Sequence, residues 1–293
     1  LVARSTLAAL HGDELAVPAA GPVAGDARLD DLLAPELVSP AWRALLRKSG
    51  DVLDAAYTVD LRALRAAPMP TGSAAFTSYV QQVAAAFGIR GLEVFASPSL
   101  GPVCMPVSSA PPQIVFGQAL LDSDDDAARY FLMIRSLKVL QANAAALSRT
   151  APIELWPVIA AYLGVFASNW QPQGVDAKKF ADAQKRIQGA MQRRLDDDVP
   201  VLALEVIGAI GNRASLIGTA LHQWGNRTAL LSAGSLVASL RGVALAGGHT
   251  SGPPAEGPER VKWIVRNPEA RDLATFSVSE QYNEARSRLG LGR

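Results

Sequence analysis

The sequence predicts an α+β protein, predominantly α-helical, with a small β-sheet near residues 90–117. Apolar residues recur at helical spacing in long blocks on both sides of that stretch. Between the blocks, Leu92-Glu-Val-Phe-Ala-Ser97 and Gln113-Ile-Val-Phe116 are short runs rich in aliphatic and aromatic residues, with Gly, Pro and Ser nearby. Hydrophobic residues make up 49% of the 293, enough for a sizeable core.

Residues 1–40 are rich in Ala, Gly and Pro, with short helices expected near 5–10 and 29–33. Ser39-Pro40 reads as a helix start, Ser as the cap and Pro in the first turn. The helix beyond runs through Trp42, Leu45, Leu46, Val52 and Leu53, with a break expected at Gly50. Another helix covers about 73–87 and stops at Gly88. Between the two strands, Pro-Val-Cys-Met-Pro-Val is a third strand or a loop. Pro102 and Pro106 confine it to a sheet edge if it pairs at all.

From Ser123 onward the pattern is helical. Ser123 followed by Asp126 resembles a capping box, and Asp124, Asp125 and Asp126 suit the positive end of a helix dipole. That helix is expected to run over about 124–148, with others near 153–168, 176–195, 199–221 and 227–243. Residues 246–259 have the composition of a flexible loop. A last unit, 261–289, is expected to dock through Trp263, Ile264, Val265, Leu273, Phe276 and Tyr282. The chain thus divides into an N-terminal helical segment (1–89), a core (90–245), the loop (246–259) and a docking segment (260–293). No repeat of fixed period is visible.

Lys and Arg total 28 against 27 Asp and Glu, so the balance of charge gives no general attraction to nucleic acid or an anionic membrane. The most apolar run, 153–170, is short for a bilayer span and carries Glu154 and Pro157, so a buried helix is expected and no stable membrane insertion. The single cysteine, Cys104, rules out an internal disulfide and suits a reducing compartment, which makes a cytoplasmic location the expectation. The sequence starts at Leu1 and not at Met, so more chain is expected before it.

Few residues promise chemistry. His11, His222 and His249 show no metal-ligand spacing, so no metal or other cofactor is expected. A calcium loop starting at Asp122 would need Gly and Glu where Ala127 and Met133 stand, so helix-start electrostatics explain the acidic run better. Cys104 as a nucleophile would need a base, for which His222 is the candidate; a buried structural thiol is the simpler reading. Nucleotide-binding and serine-hydrolase motifs are absent. The basic-aromatic segment 260–266 reads as an element with one solvated face.

One stretch is familiar. Pro112-Gln-Ile-Val-Phe-Gly117, Ala119-Leu-Leu-Asp122 and Asp126-Ala-Ala-Arg-Tyr-Phe-Leu-Met-Ile134 together resemble zinc endopeptidases of the CaaX-prenyl-protease and bacterial heat-shock-protease type. The resemblance covers roughly residues 90–245 and implies a zincin-like fold. In that family an HExxH helix supplies two His ligands and a Glu base, and a later Glu-x-x-Ala-Asp supplies the third ligand. Here the first window falls on Arg135-Ser136-Leu137-Lys138-Val139, with Arg135 and Val139 at the ligand positions and Ser136 at the base. The later motif is matched best by residues 208–212, with Gly208 at the ligand and Asn212 at the Asp. The chain is also similar to C-terminal regions of large bacterial tetratricopeptide-repeat proteins, through its closing segment 277–290. The resemblance therefore implies a pseudo-metallopeptidase: a non-catalytic structural or protein-interaction module, part of a larger chain, with protein partners. A hydrolase using Cys104, Ser136 or Asp122, and a membrane-associated accessory protein, are the alternatives.

Overall fold

The computed structural model describes residues 25–191, 195–249, 252–254 and 257–291. The helix expected near 5–10 lies outside them. A 3-10 turn, Ala27–Leu29, runs into α1 (Asp30–Leu33). Helix α2 (Pro40–Ala56) starts as the sequence indicates, with the Ser39 hydroxyl accepting from the Trp42 N–H. It passes through Gly50 without a break. Glycine is required there by packing, since a Cβ would meet the Asn143 carbonyl oxygen at 2.2 Å.

A two-residue strand, β1 (Ala67–Pro68), precedes α3 (Ala74–Ala86). Then come β2 (Glu93–Ser97), β3 (Cys104–Val107) and β4 (Gln113–Gly117). The sheet order is β1-β2-β4-β3, with β2 parallel to β4 and both outer pairs antiparallel. The proline-flanked segment is thus a strand, and it lies at an edge. The pairing of β1 was not legible, because its two residues carry no alternating pattern.

After α4 (Gln118–Leu121) comes α5 (Asp126–Gln141). Its cap is Asp125, whose carboxylate accepts from the Ala128 N–H, while Ser123 accepts from the Asp125 N–H one step earlier. The helix expected over 124–148 is in fact two. Asn143, at φ 52°, separates α5 from α6 (Ala145–Arg149). Helices α7 (Pro152–Phe166) and α8 (Ala177–Ala190) follow, the first buried through its middle, with Ile153 exposed at its start.

Breaks expected between 221 and 227 lie elsewhere. Helix α9 (Val199–Ile210) ends at Gly211, and α10 (Ile217–Ala233) ends at Gly234, both in positive-φ conformations that side chains resist. Helix α11 (Leu236–Ala246) is followed by α12 (Gly257–Arg266), so helix begins inside the stretch expected to be loop. Helices α13 (Pro268–Phe276) and α14 (Glu280–Arg288) complete the chain. Of the residues expected to dock this last unit, Ile264, Leu273, Phe276 and Tyr282 are buried, but Val265 faces solvent at 55% exposure.

Helix α5 is buried over most of its length, Ser136 and Lys138 included, which places it at the centre of the core. It packs against α10, α11 and the edge strand β3. Gly225 of α10 allows the closest approach, since a Cβ there would meet the Arg135 carbonyl oxygen at 2.8 Å. Buried hydrophobic residues from Leu29 to Ala285 form one cluster, to which the segments 1–89, 90–245 and 260–293 all contribute. Among the described residues no single helix is long and apolar enough to cross a membrane; α9 and residues 214–233 reach that length only as a pair bent by 99°.

Candidate functional site: a cavity under the edge strand

Arg135, Ser136 and Val139 share one face of α5, and that face opens on a cavity of about 520 Å³ beneath β3. The roof is set by the register of the sheet. Gly117 N–H donates to the Val103 carbonyl at 2.9 Å and Cys104 stands opposite Phe116, so Cys104 and Pro106 turn their backbone groups away from β4. Both of those outward carbonyls are occupied. Ser136 Oγ donates to the Cys104 carbonyl at 2.7 Å, and Arg149 Nη1 to the Pro106 carbonyl at 2.6 Å. Pro106 has no N–H to offer. An extended peptide adding to this edge would find only the Cys104 N–H unspent.

The opposite wall is an ion-pair network. Arg135 donates through both terminal nitrogens to Glu269, at 3.0 and 3.3 Å. Asn226 Nδ2 donates to the same carboxylate at 3.0 Å, and His222 Nδ1 lies 3.4 Å from it. Glu269 sits in the first turn of α13, where Asn267 caps the Glu269 and Ala270 N–H groups and Pro268 occupies the first position. The α13 dipole favours an anion there. Burial alone would push the Glu269 carboxyl up; Arg135, His222 and Asn226 outweigh it and hold the group well below the usual carboxylate range. Burial, then the Arg135 charge, push the His222 imidazole down, against the pull of Glu269.

The wall holds no activated nucleophile. Burial pushes the Cys104 thiol up to about 12, although Ser136 and Arg135 oppose it, so the thiol stays protonated at neutral pH. The Ser136 hydroxyl proton is committed to a backbone carbonyl. Arg149 reaches from α6 to the Tyr57 carbonyl as well as to Pro106, which fixes α6 under the sheet edge.

The other two positions singled out in the sequence are elsewhere. Gly208 is exposed on α9, with no atom within 4 Å of where its Cβ would be. Asn212 lines a second cavity of about 600 Å³ with Trp156, Trp170 and Ile207. Neither faces Arg135 across the first cavity. His222 of α10 does so, together with Glu269. His222 stood out in the sequence only as a distant partner for Cys104, and the fold brings both to one cavity. The only local signal at Glu269 is the helix start Asn267-Pro268-Glu269. Among the described residues no group of three or more His, Cys, Asp or Glu side chains is placed to hold a metal ion.

No family model, no curated protein and no solved structure matches this chain.

Proposed function

We propose that this chain is a non-catalytic binding module on a zincin-like frame, in which a guanidinium–carboxylate pair replaces the metal site. The observation that carries the reading is the Arg135–Glu269 pair. Arg135 stands where the resemblance puts the first His ligand, and a fixed cation already occupies the space a metal's charge would fill. Two further features support it. Helix α5 lies beneath an antiparallel edge strand, with Ser136 and Val139 on the same cavity face as Arg135. The spacing of Glu-x-x-Ala-Asp also has a counterpart on α10, better placed than residues 208–212: His222 at the ligand, Gly225 at the small residue and Asn226 at the Asp.

A hydrolase reading draws on the convergence of Cys104, Ser136, His222 and Glu269 in one cavity. It is weakened by the protonated thiol and by the bond that holds the Ser136 hydroxyl. The module is proposed to serve protein partners as part of a larger chain, without detergent and without zinc. The test is elemental analysis of extensively dialysed protein, with a casein-hydrolysis assay in the presence and absence of added zinc. The expected result is no stoichiometric zinc and no hydrolysis; bound zinc or zinc-dependent cleavage would overturn the reading.

A further inference from the structure

The hydrogen-bonding capacity of the cavity under β3 is lopsided. Its carboxylate and its edge-strand carbonyls are already engaged: Glu269 by Arg135 and Asn226, with His222 3.4 Å away, and the Cys104 and Pro106 carbonyls by Ser136 and Arg149. Its donors are not. A guanidinium offers five N–H groups, and Arg135 and Arg149 each show two hydrogen bonds to the protein. The Cys104 N–H points away from β4, and the Thr219 hydroxyl, on the same face of α10 as His222, lines the cavity with no protein partner.

Charge leans the same way. Arg135 and Arg149 line the cavity against the single carboxylate of Glu269. Asp54 is the acid whose charge acts on Arg149. It sits outside the wall, buried and accepting from the Ala146 N–H at 2.5 Å. Beyond the polar groups the walls are apolar, with Leu100, Met105, Leu132, Val139 and Val243. A volume of about 520 Å³ falls within the range of about 300–1,000 Å³ typical of small-molecule sites.

We infer that this cavity is a binding site for a small monocarboxylate with an apolar body. The carboxylate meets the unspent donors of Arg149, Arg135 and Thr219, and the apolar body lies against Leu132, Val139 and Val243. A neutral alcohol would leave the guanidinium donors without a charged acceptor, and an amine would be repelled by them. A carboxylate also accepts several donors at once, which is what the walls have to give. The inference shares its cavity with the non-catalytic reading and rests on it for a binding rather than a hydrolytic role. Zinc content and casein cleavage test that reading; ligand binding tests this one.

The experiment is calorimetric titration of the full chain at neutral pH with octanoate, 1-octanol and octylamine, which share a tail and differ in the head group. Octanoate is expected to bind saturably, about tenfold or more tighter than octanol, with no binding of octylamine. Thr219→Val should weaken octanoate by a few-fold, and Arg149→Met by about tenfold or more. Because Arg149 also braces α6, the steric variant Ala246→Trp provides a check that touches no donor: it should abolish octanoate binding with its circular dichroism spectrum unchanged. Octanoate that fails to saturate, binds no tighter than octanol, or binds folded A246W undiminished would overturn the proposal.

Discussion

Lys138 and Arg135 leave the same helix one turn apart, and each meets a carboxylate from a distant part of the chain, yet the two pairs are built differently. Lys138 and Asp30 are sealed, with side chains 1% and 8% exposed. The ammonium also donates to Gln141 and lies 4.5 Å from the centre of the Trp224 ring. Arg135 and Glu269 are 13% and 23% exposed, they front an open cavity, and Glu269 has Asn226 and His222 in reserve. A sealed pair with one acid partner fastens an element: α1 is held to the core by it. A pair with spare donors beside open volume is the one on which the proposed binding rests.

The sharpest way to break this comparison is to remove the sealed acid. Asp30→Ala strands the Lys138 ammonium where burial already pulls its pKa down, and unfolding in denaturant should show a loss of about 3–5 kcal/mol. A loss under about 1 kcal/mol would mean that the pair is not a fastening. Asp54 provides an intermediate case, a buried acid whose cation, Arg149, is committed to two carbonyls. Burial pushes its carboxyl up to about 6, with Arg149 and the Ala146 N–H opposing. A raised acid pKa means that the native state holds its proton more tightly, so stability is greatest below the ordinary value of 3.8 and declines as pH rises through about 6. Asp54→Asn should remove that decline, a difference of up to about 3 kcal/mol between pH 4 and 7. A pH–stability curve of unchanged slope would contradict the assignment.

Arg135→Ala should cost less, about 1–3 kcal/mol and toward the lower end, because Asn226 still donates to Glu269, His222 lies 3.4 Å from it and water can reach it. Thermal and denaturant unfolding of R135A beside D30A would order the two pairs directly. If R135A proved the more damaging, the distinction between a fastening and a site-facing pair would fall.

Much of this was legible in the sequence and some was not, for physical reasons. Ser39-Pro40 and the two main strands announce themselves because caps and aliphatic or aromatic runs are local signals. Pro106 even assigned β3 to an edge, since a residue without an N–H is tolerated where no partner strand lies. Helix breaks were misplaced wherever the stop depends on a backbone conformation that the surroundings impose. Gly50 looks like a break and is a contact with Asn143; Asn143 looks ordinary and is the break. At the site, Arg135, Ser136 and Val139 were found together because helical spacing puts residues one turn apart on a common face. Glu269 and His222 were not, because nothing local relates α13 or α10 to α5. Matching by motif led to Gly208 and Asn212, which lie away from the Arg135 cavity, because spacing without geometry does not discriminate between helices.

The central claim, that α5 and α10 keep a metal-site arrangement with an ion pair in its place, is tested most directly by restoring the ligands. Arg135→His with Val139→His would put two imidazoles one turn apart on α5, on the cavity that His222 already lines, and three such ligands suffice for zinc. Zinc content after dialysis, measured by elemental analysis on the double variant and on the wild-type chain, decides it. The account predicts stoichiometric zinc in the double variant, lost on His222→Ala, and none in the wild type. A folded double variant that retains no zinc, or a wild-type chain that retains it, would contradict the account.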